Sequence, residues 1–145
     1  MRIERLGRSL PYSRELIFEI AADVERYPQF LRWWISARVV RREADRLEVE
    51  QVLGAGPVQL NFVSTAHLQR PERIDVTSTD PMFRKFGLCF LISDLGPSSS
   101  TLRITADLEL HSRLKQLVVD ATLSASVDDI LAAFEARAHA LHRAH

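Results

Sequence analysis

The amino-acid sequence predicts an α+β protein: one strand, two short helices, an antiparallel meander of about six strands, and a long C-terminal helix. Three observations carry this. Apolar residues alternate with polar ones at period two between Ala37 and Leu110. The segments before and after carry the helical period instead. Turn-forming residues sit at each break between the alternating runs.

Each element follows in order. Residues 1–9 alternate and read as a strand that Pro11 ends. Ser13 suits an N-cap, and Leu16, Ile17, Ile20, Ala21 and Val24 follow at helical spacing. Asp23 is placed to cap a second short helix carrying Tyr27 and Phe30. Ala37 and Val39 then alternate with Arg38 and Val40, and Leu47, Val49 and Gln51 with Glu48 and Glu50. Val58, Leu60, Phe62, Ser64, Ala66 and Leu68 form one face. Ile74 and Val76, then Phe86, Leu88, Phe90 and Ile92, then Leu102, Ile104, Ala106, Leu108 and Leu110 form others. Turns fall at Glu43-Ala-Asp45, Gly54-Ala-Gly-Pro57, Arg70-Pro-Glu72, Asp80-Pro81 and Gly96-Pro-Ser-Ser-Ser100. Their short spacing means hairpins. Ser112 opens the last helix, with Leu114, Leu117, Val118 and Ala121 as one stripe. Val127, Ile130, Leu131, Phe134, Ala138 and Leu141 make a second stripe. Ala121 to Ser126 is small and a weak helix former, so a kink is expected there, with Ser126 and Asp129 restarting the helix.

The 145 residues fit one domain, residues 1–145, and 46% of them are apolar. A chain of this length buries about 70% of the surface its unfolded form exposes and needs no disulfide or metal staple. The 19 basic and 19 acidic groups cancel, and residues 1–50 carry ten and nine of them. That balance argues against general nucleic-acid binding, and DNA is not an expected partner. The single cysteine, Cys89, excludes an internal disulfide and fits a reducing compartment. No apolar run near the N-terminus reads as a signal peptide, and none reads as a membrane span, so a soluble cytoplasmic protein is expected.

The inward groups leave a question of volume. The sheet supplies Leu60, Phe62, Phe86, Leu88, Phe90 and Ile92, and the helix opposes them with Ala121, Ser124 and Ala125. A curved sheet facing small central residues either holds a cavity for an apolar ligand or closes into a filled core around a kinked helix.

Leu10-Pro-Tyr-Ser13, Phe18, Ala22-Asp-Val-Glu-Arg-Tyr-Pro-Gln-Phe-Leu31 and Trp33 resemble the opening of the coenzyme Q-binding START-domain family. That group also takes in ribosome-association toxins (RatA) and proteins labelled polyketide cyclase or dehydrase. Phe62 and Ser64, Pro71 and Ile74, Pro81 and Phe83-Arg84, and Phe134-Glu-Ala-Arg-Ala138 continue the resemblance in order, so it covers nearly the whole chain. It implies a helix-grip fold: a curved seven-stranded antiparallel sheet wrapped around a long C-terminal helix, with a hydrophobic tunnel between them. The implied lining is Phe30, Trp33, Trp34, Leu60, Phe62, Ser64, Phe83, Phe86, Leu88, Phe90, Leu117, Ala121, Ala125, Ile130 and Phe134. The chain departs from the family at Arg32-Trp33-Trp34, Met82, Leu88 and Phe90. Leu88 and Trp34 are larger than the usual residues and put bulk into the tunnel.

The remaining candidates divide as follows. One of Trp33 and Trp34 should point inward and the other outward. Ser64 either meets a ligand carbonyl or is a small residue satisfied by its neighbours. His139, His142 and His145 recur every three residues but have no supporting carboxylates for a metal. Arg38, Arg41, Arg42 and Arg46 lie among Glu43, Asp45, Glu48 and Glu50, as a solvated charged face does. Glu135 and Arg137 do not face each other on a helix, so each should pair with the sheet or first helix. Cys89 is expected opposite Phe90 as an unactivated thiol.

The expected function is binding of a hydrophobic small molecule, a polyprenyl quinone such as ubiquinone or another lipid. The protein would act as chaperone or carrier in respiration or quinone synthesis, with transient contact to a membrane or respiratory complex, in the cytoplasm or peripheral to the inner membrane. No cofactor is required beyond that cargo. Two alternatives stay open: a ribosome-associating toxin-like protein that blocks subunit joining, and a polyketide cyclase or dehydrase with polar groups in its cavity. There is no nucleophile elbow, phosphate loop or metal spacing, and the inward faces carry almost no acid–base groups, which weighs against an enzyme.

Overall fold

Strand β1 (Arg2–Leu10) leads into helix α1 (Arg14–Ala22) and a 3-10 helix (Val24–Gln29). Six strands follow: β2 (Trp34–Glu43), β3 (Arg46–Ala55), β4 (Val58–Gln69), β5 (Arg73–Thr77), β6 (Phe83–Gly96) and β7 (Ser99–Leu110). Helix α2 (Arg113–Arg143) completes the chain's regular structure. These elements come from a computed structural model that describes residues 2–55 and 57–143, with the side chains of 2–7, 55, 123–127 and 143 outside that description.

The seven strands form one antiparallel sheet in the order β1-β7-β6-β5-β4-β3-β2. Strands β2 to β7 are the expected hairpin meander, and β1 closes the sheet beside β7. Register shifts interrupt the β1–β7, β2–β3 and β6–β7 ladders. Such bulges bend a strand and add twist, and the curved sheet grips α2 as the resemblance implied. The bulge between Phe83 and Lys85 also changes a face: Phe83 and Phe86, three apart, both point inward. Gly96, with φ of 145°, turns β6 into β7 in a conformation side chains resist. No helix among the described residues is long and apolar enough to cross a membrane.

The caps follow the sequence with one exception. Ser13 Oγ accepts from Leu16 N–H at 3.2 Å, and Ser112 Oγ from Lys115 N–H at 3.2 Å. Asp23 stands at the start of the 3-10 helix, but its side chain makes no capping bond. Its backbone joins the two helices instead, donating to Glu19 O and accepting from Arg26 N–H, each at 3.1 Å. The phenol of Tyr27 donates to Ala21 O at 2.5 Å and so satisfies a carbonyl at the end of α1.

Helix α2 runs unbroken for 31 residues. The helix continues through Ala121–Ser126, so the restart expected at Ser126 is not found: both flanking segments are anchored and carry the weak centre between them. Gln116 ties the first turns to β7: its Oε1 accepts from Leu110 N–H at 2.6 Å and its Nε2 donates to Leu108 O at 3.0 Å. The C-terminal stripe is buried as expected at Leu131, Phe134 and Ala138. The N-terminal stripe is not: Leu114 is 72% exposed and Leu117 68%, and Val119 turns inward instead. Leu117 and Leu131 lie within about 40° of one another around the helix. Only the latter is covered, since α1 packs on the C-terminal part of α2 and widens the buried arc there.

The core therefore divides into two clusters. Tyr27, Phe30, Trp34, Phe90 and Phe134 meet in the first, with ring centroids 5.3–6.3 Å apart. Phe62, Phe83 and Phe86 meet in the second at 4.9–5.4 Å, beside Leu60, Leu110 and Val119. Phe134 is fully buried and touches three rings of the first cluster. Phe134→Ala should cost about 3–5 kcal/mol, read as a lower urea midpoint with an unchanged slope.

Candidate functional site

The two clusters border a cavity of about 90 Å³ between the concave face of the sheet and α2. Strands β2 to β7 all contribute to its wall, with Ala21 and Ala22 of α1, Val24 and Tyr27 of the 3-10 helix, and Ile130 of α2. The period-two face of each strand explains this: Phe62, Ser64, Ala66 and Leu68 of β4 all line it, as do Phe86, Leu88 and Phe90 of β6. No charged side chain is among the described lining residues.

Polar atoms enter the wall at few places. Gln51 and Ser64 are diagonal neighbours across the β3–β4 ladder, where Val49 pairs with Ser64 and Gln51 with Phe62. Trp34 Nε1 donates to Gln51 Oε1 at 3.0 Å, and Gln51 Nε2 donates to Ser64 Oγ at 2.5 Å. The amide thus bridges the indole N–H and the serine oxygen within an otherwise apolar wall. Burial pushes the Tyr27 phenol far above its ordinary range, with Asp23 adding to the shift, so it stays protonated.

The structure sorts the expected lining residues. Trp34, Phe62, Ser64, Phe86, Leu88, Phe90 and Ile130 face the cavity. Phe30, Leu60, Phe83 and Phe134 stand behind it in the two clusters. Trp33 is half-buried away from it, with the Arg32 guanidinium 5.0 Å from its ring. So the tandem tryptophans do split, Trp34 inward and Trp33 outward. Leu117 and Ala121 are exposed and are not among the described residues lining this cavity, because the buried arc of α2 is narrow where α1 no longer reaches. Ala125 falls among the side chains outside the description. Besides Ser64 and Trp34, the polar lining residues are Gln51 and Tyr27, which pattern reading left without a role in the cavity. For Gln51 the signal was there: a polar side chain at an inward position, in phase with Leu47 and Val49.

The other candidates are engaged elsewhere. Arg38 pairs with Glu50, Arg41 with Glu43 and Arg46 with Glu48, at 2.9, 2.9 and 3.8 Å. Exposed pairs of this kind contribute little stability. Glu135 reaches Arg8 of β1 at 3.3 Å, while Arg137 donates to Gln29 and lies over the Phe30 ring. His139 Nδ1 is 3.0 Å from the Tyr12 hydroxyl and His142 stacks edge-on against the same ring; His145 lies outside the described residues. Burial pushes the Cys89 thiol up, with Asp75 adding to the shift, so it is not an activated nucleophile. A wider surface groove of about 410 Å³ lies between α1, the 3-10 helix, β2 and the end of α2. Arg70 there pairs with Glu19, and Arg26 with Asp23. These charges sit in water and against each other, so the smaller interior cavity is the better site for an apolar molecule.

A curved antiparallel sheet closed by one long helix over an apolar cavity defines the helix-grip class of folds. The family described as polyketide cyclase / dehydrase and lipid transport matches residues 10–135, and the chain belongs to it. Over 85 residues the chain is 27% identical to the mitochondrial coenzyme Q-binding protein COQ10 of Dictyostelium discoideum. That stretch is 57% of this chain and 42% of the relative, so the chain covers less than half of that relative's length. The ribosome association toxin RatA of Pseudomonas aeruginosa is 20% identical over 133 residues, 92% of each chain. A START superfamily protein from Mycobacterium smegmatis shares the fold, with a TM-score of 0.79 at 20% identity over 97% of this chain and 98% of that one.

Leu88 and Trp34, the two bulky departures from the family pattern, both project into the cavity. Leu88→Ala should widen it at a cost of about 2 kcal/mol, near the low end for leucine truncation because Leu88 is half-buried. A naphthalene-type fluorescent probe should then bind the variant several-fold more tightly than the unaltered protein, measured by titration.

Proposed function

We propose that the chain binds an apolar small molecule of the polyprenyl quinone or lipid class in this cavity and carries it shielded from water. The observation behind this reading is the wall itself: six strands and three helical segments converge on a space with no charged group among its described lining residues. Each CH₂ buried there contributes about 0.8 kcal/mol, so a short stretch of isoprenoid or acyl chain suffices to anchor a ligand. Among the described lining residues Tyr27 is the one acid–base side chain, and its proton is held on Ala21 O. That favours binding over turnover. The name of the COQ10 relative supports a quinone as the head of the ligand. At about 90 Å³ the space takes a short segment, and a longer tail requires Leu88, Trp34 or α2 to give way. Organic extraction of protein purified from its own cells, followed by mass spectrometry, should recover a quinone or lipid. Added short-tailed ubiquinone should quench Trp34 fluorescence. A protein that neither carries nor takes up any such molecule overturns the reading.

The span of the likeness to RatA, nearly end to end in both chains, favours a second reading: association with the ribosome through the outer surface. Overexpression should then raise free subunits at the expense of joined ribosomes in sucrose gradients. An unchanged ratio removes this reading and leaves the first intact.

A further inference from the structure

The polar chain in the cavity wall has a direction, and Trp34 sets it. An indole N–H is a donor only, and it lies 3.0 Å from the Gln51 side chain. The amide must therefore present its oxygen to Trp34 and its NH₂ to Ser64. Gln51 Nε2 is 2.5 Å from Ser64 Oγ, so the serine oxygen accepts. The hydroxyl hydrogen of Ser64 remains unspent, and among the described residues no acceptor takes it. Ser64 is 2% exposed and Gln51 9%, and both line the cavity. An occupant that fills the cavity and offers no acceptor leaves this buried donor unbonded, which is costly. The other hydroxyl in the wall, Tyr27, is already committed to Ala21 O.

We propose that the cavity selects occupants bearing a hydrogen-bond acceptor, a carbonyl oxygen above all, and seats that oxygen on the Ser64 hydroxyl. Gln51 and Trp34 are positioning residues: the indole fixes the amide, and the amide turns the serine proton toward the occupant. This rests on the cavity being a binding site. It adds that a pure hydrocarbon of equal size is disfavoured, because it leaves the Ser64 proton without a partner. It also separates the roles of two aromatic residues in one wall. Phe62 offers area alone, whereas Trp34 offers area and a fixed N–H.

Acetophenone and α-methylstyrene test this, since they share an outline and differ by oxygen against CH₂. Both are titrated against the full chain, and their affinity ratio is compared between proteins. The stronger hydration of the ketone cancels in that comparison. In Ser64→Ala the preference for the ketone should fall about threefold to tenfold, while α-methylstyrene binds as well as before or better. Trp34→Phe keeps Ser64 but frees the Gln51 amide to turn and accept the serine proton, so the preference should fall there too. An unchanged ratio in Trp34→Phe overturns the positioning role. The same ratio in the unaltered protein and Ser64→Ala overturns the proposal and leaves the binding reading standing. Failure of both probes to bind the unaltered protein overturns both. Should a variant fail to fold, the carbonyl stretch of bound acetophenone in the unaltered protein decides. A shift to lower frequency than in an apolar solvent supports the bond, and an unshifted band overturns it.

Discussion

One helix has to cover the whole concave face of a seven-stranded sheet, and most of the molecule follows from that constraint. A helix is a straight rod about 10 Å across, and a bulged, twisted sheet is a curved surface. The two meet well where large side chains bridge them. At one end Phe134, Leu131 and Ala138 of α2 close against Tyr27, Phe90 and the base of the sheet. At the other, Val119 closes against Phe62, Phe83 and Leu110. Val119 and Phe134 are separated by about 22 Å of helix. The cavity lies between these two anchors, and neither cluster fills it.

The anchors also explain why α2 can be one helix. Its central residues are poor helix formers, yet Gln116 bonds it to the end of β7 and the Phe134 cluster holds its other half. With both ends fixed, the intervening turns gain a hydrogen bond per residue without a fresh nucleation cost. The same asymmetry leaves Leu114 and Leu117 in solvent. Helix α1 supports only the C-terminal part, so the first turns are packed from one side.

Within the cavity the chemistry is set by register. A one-residue slip of β3 against β4 would send Gln51 and Ser64 to opposite faces. In the register found, they share a face one diagonal apart, and the bulge after Trp34 brings the indole into reach of the amide. Three residues from three adjacent strands thereby act as one polar unit in an apolar wall.

Local pattern decided the elements. Alternation from Ala37 to Leu110 marked the strands and their inward faces, Ser13 and Ser112 marked two helix starts, and the motifs from Tyr27 to Leu31 and from Phe134 to Ala138 pointed to the family. Those features are legible because backbone geometry ties side-chain direction to a fixed period. The candidate lining was legible where it lay on strands, at Phe62, Ser64, Phe86, Leu88 and Phe90. On α2 Ile130 was legible as well, but Leu117 and Ala121 were not, because which arc of a helix is buried depends on what packs against it from outside its own segment. The inward phase of Phe83 needed a bulge, and the pairing of Trp34, Gln51 and Ser64 needed a register, neither of which periodicity encodes. The volume of the cavity was likewise a tertiary outcome: the sequence names the side chains, but only their three-dimensional approach decides how much space they leave.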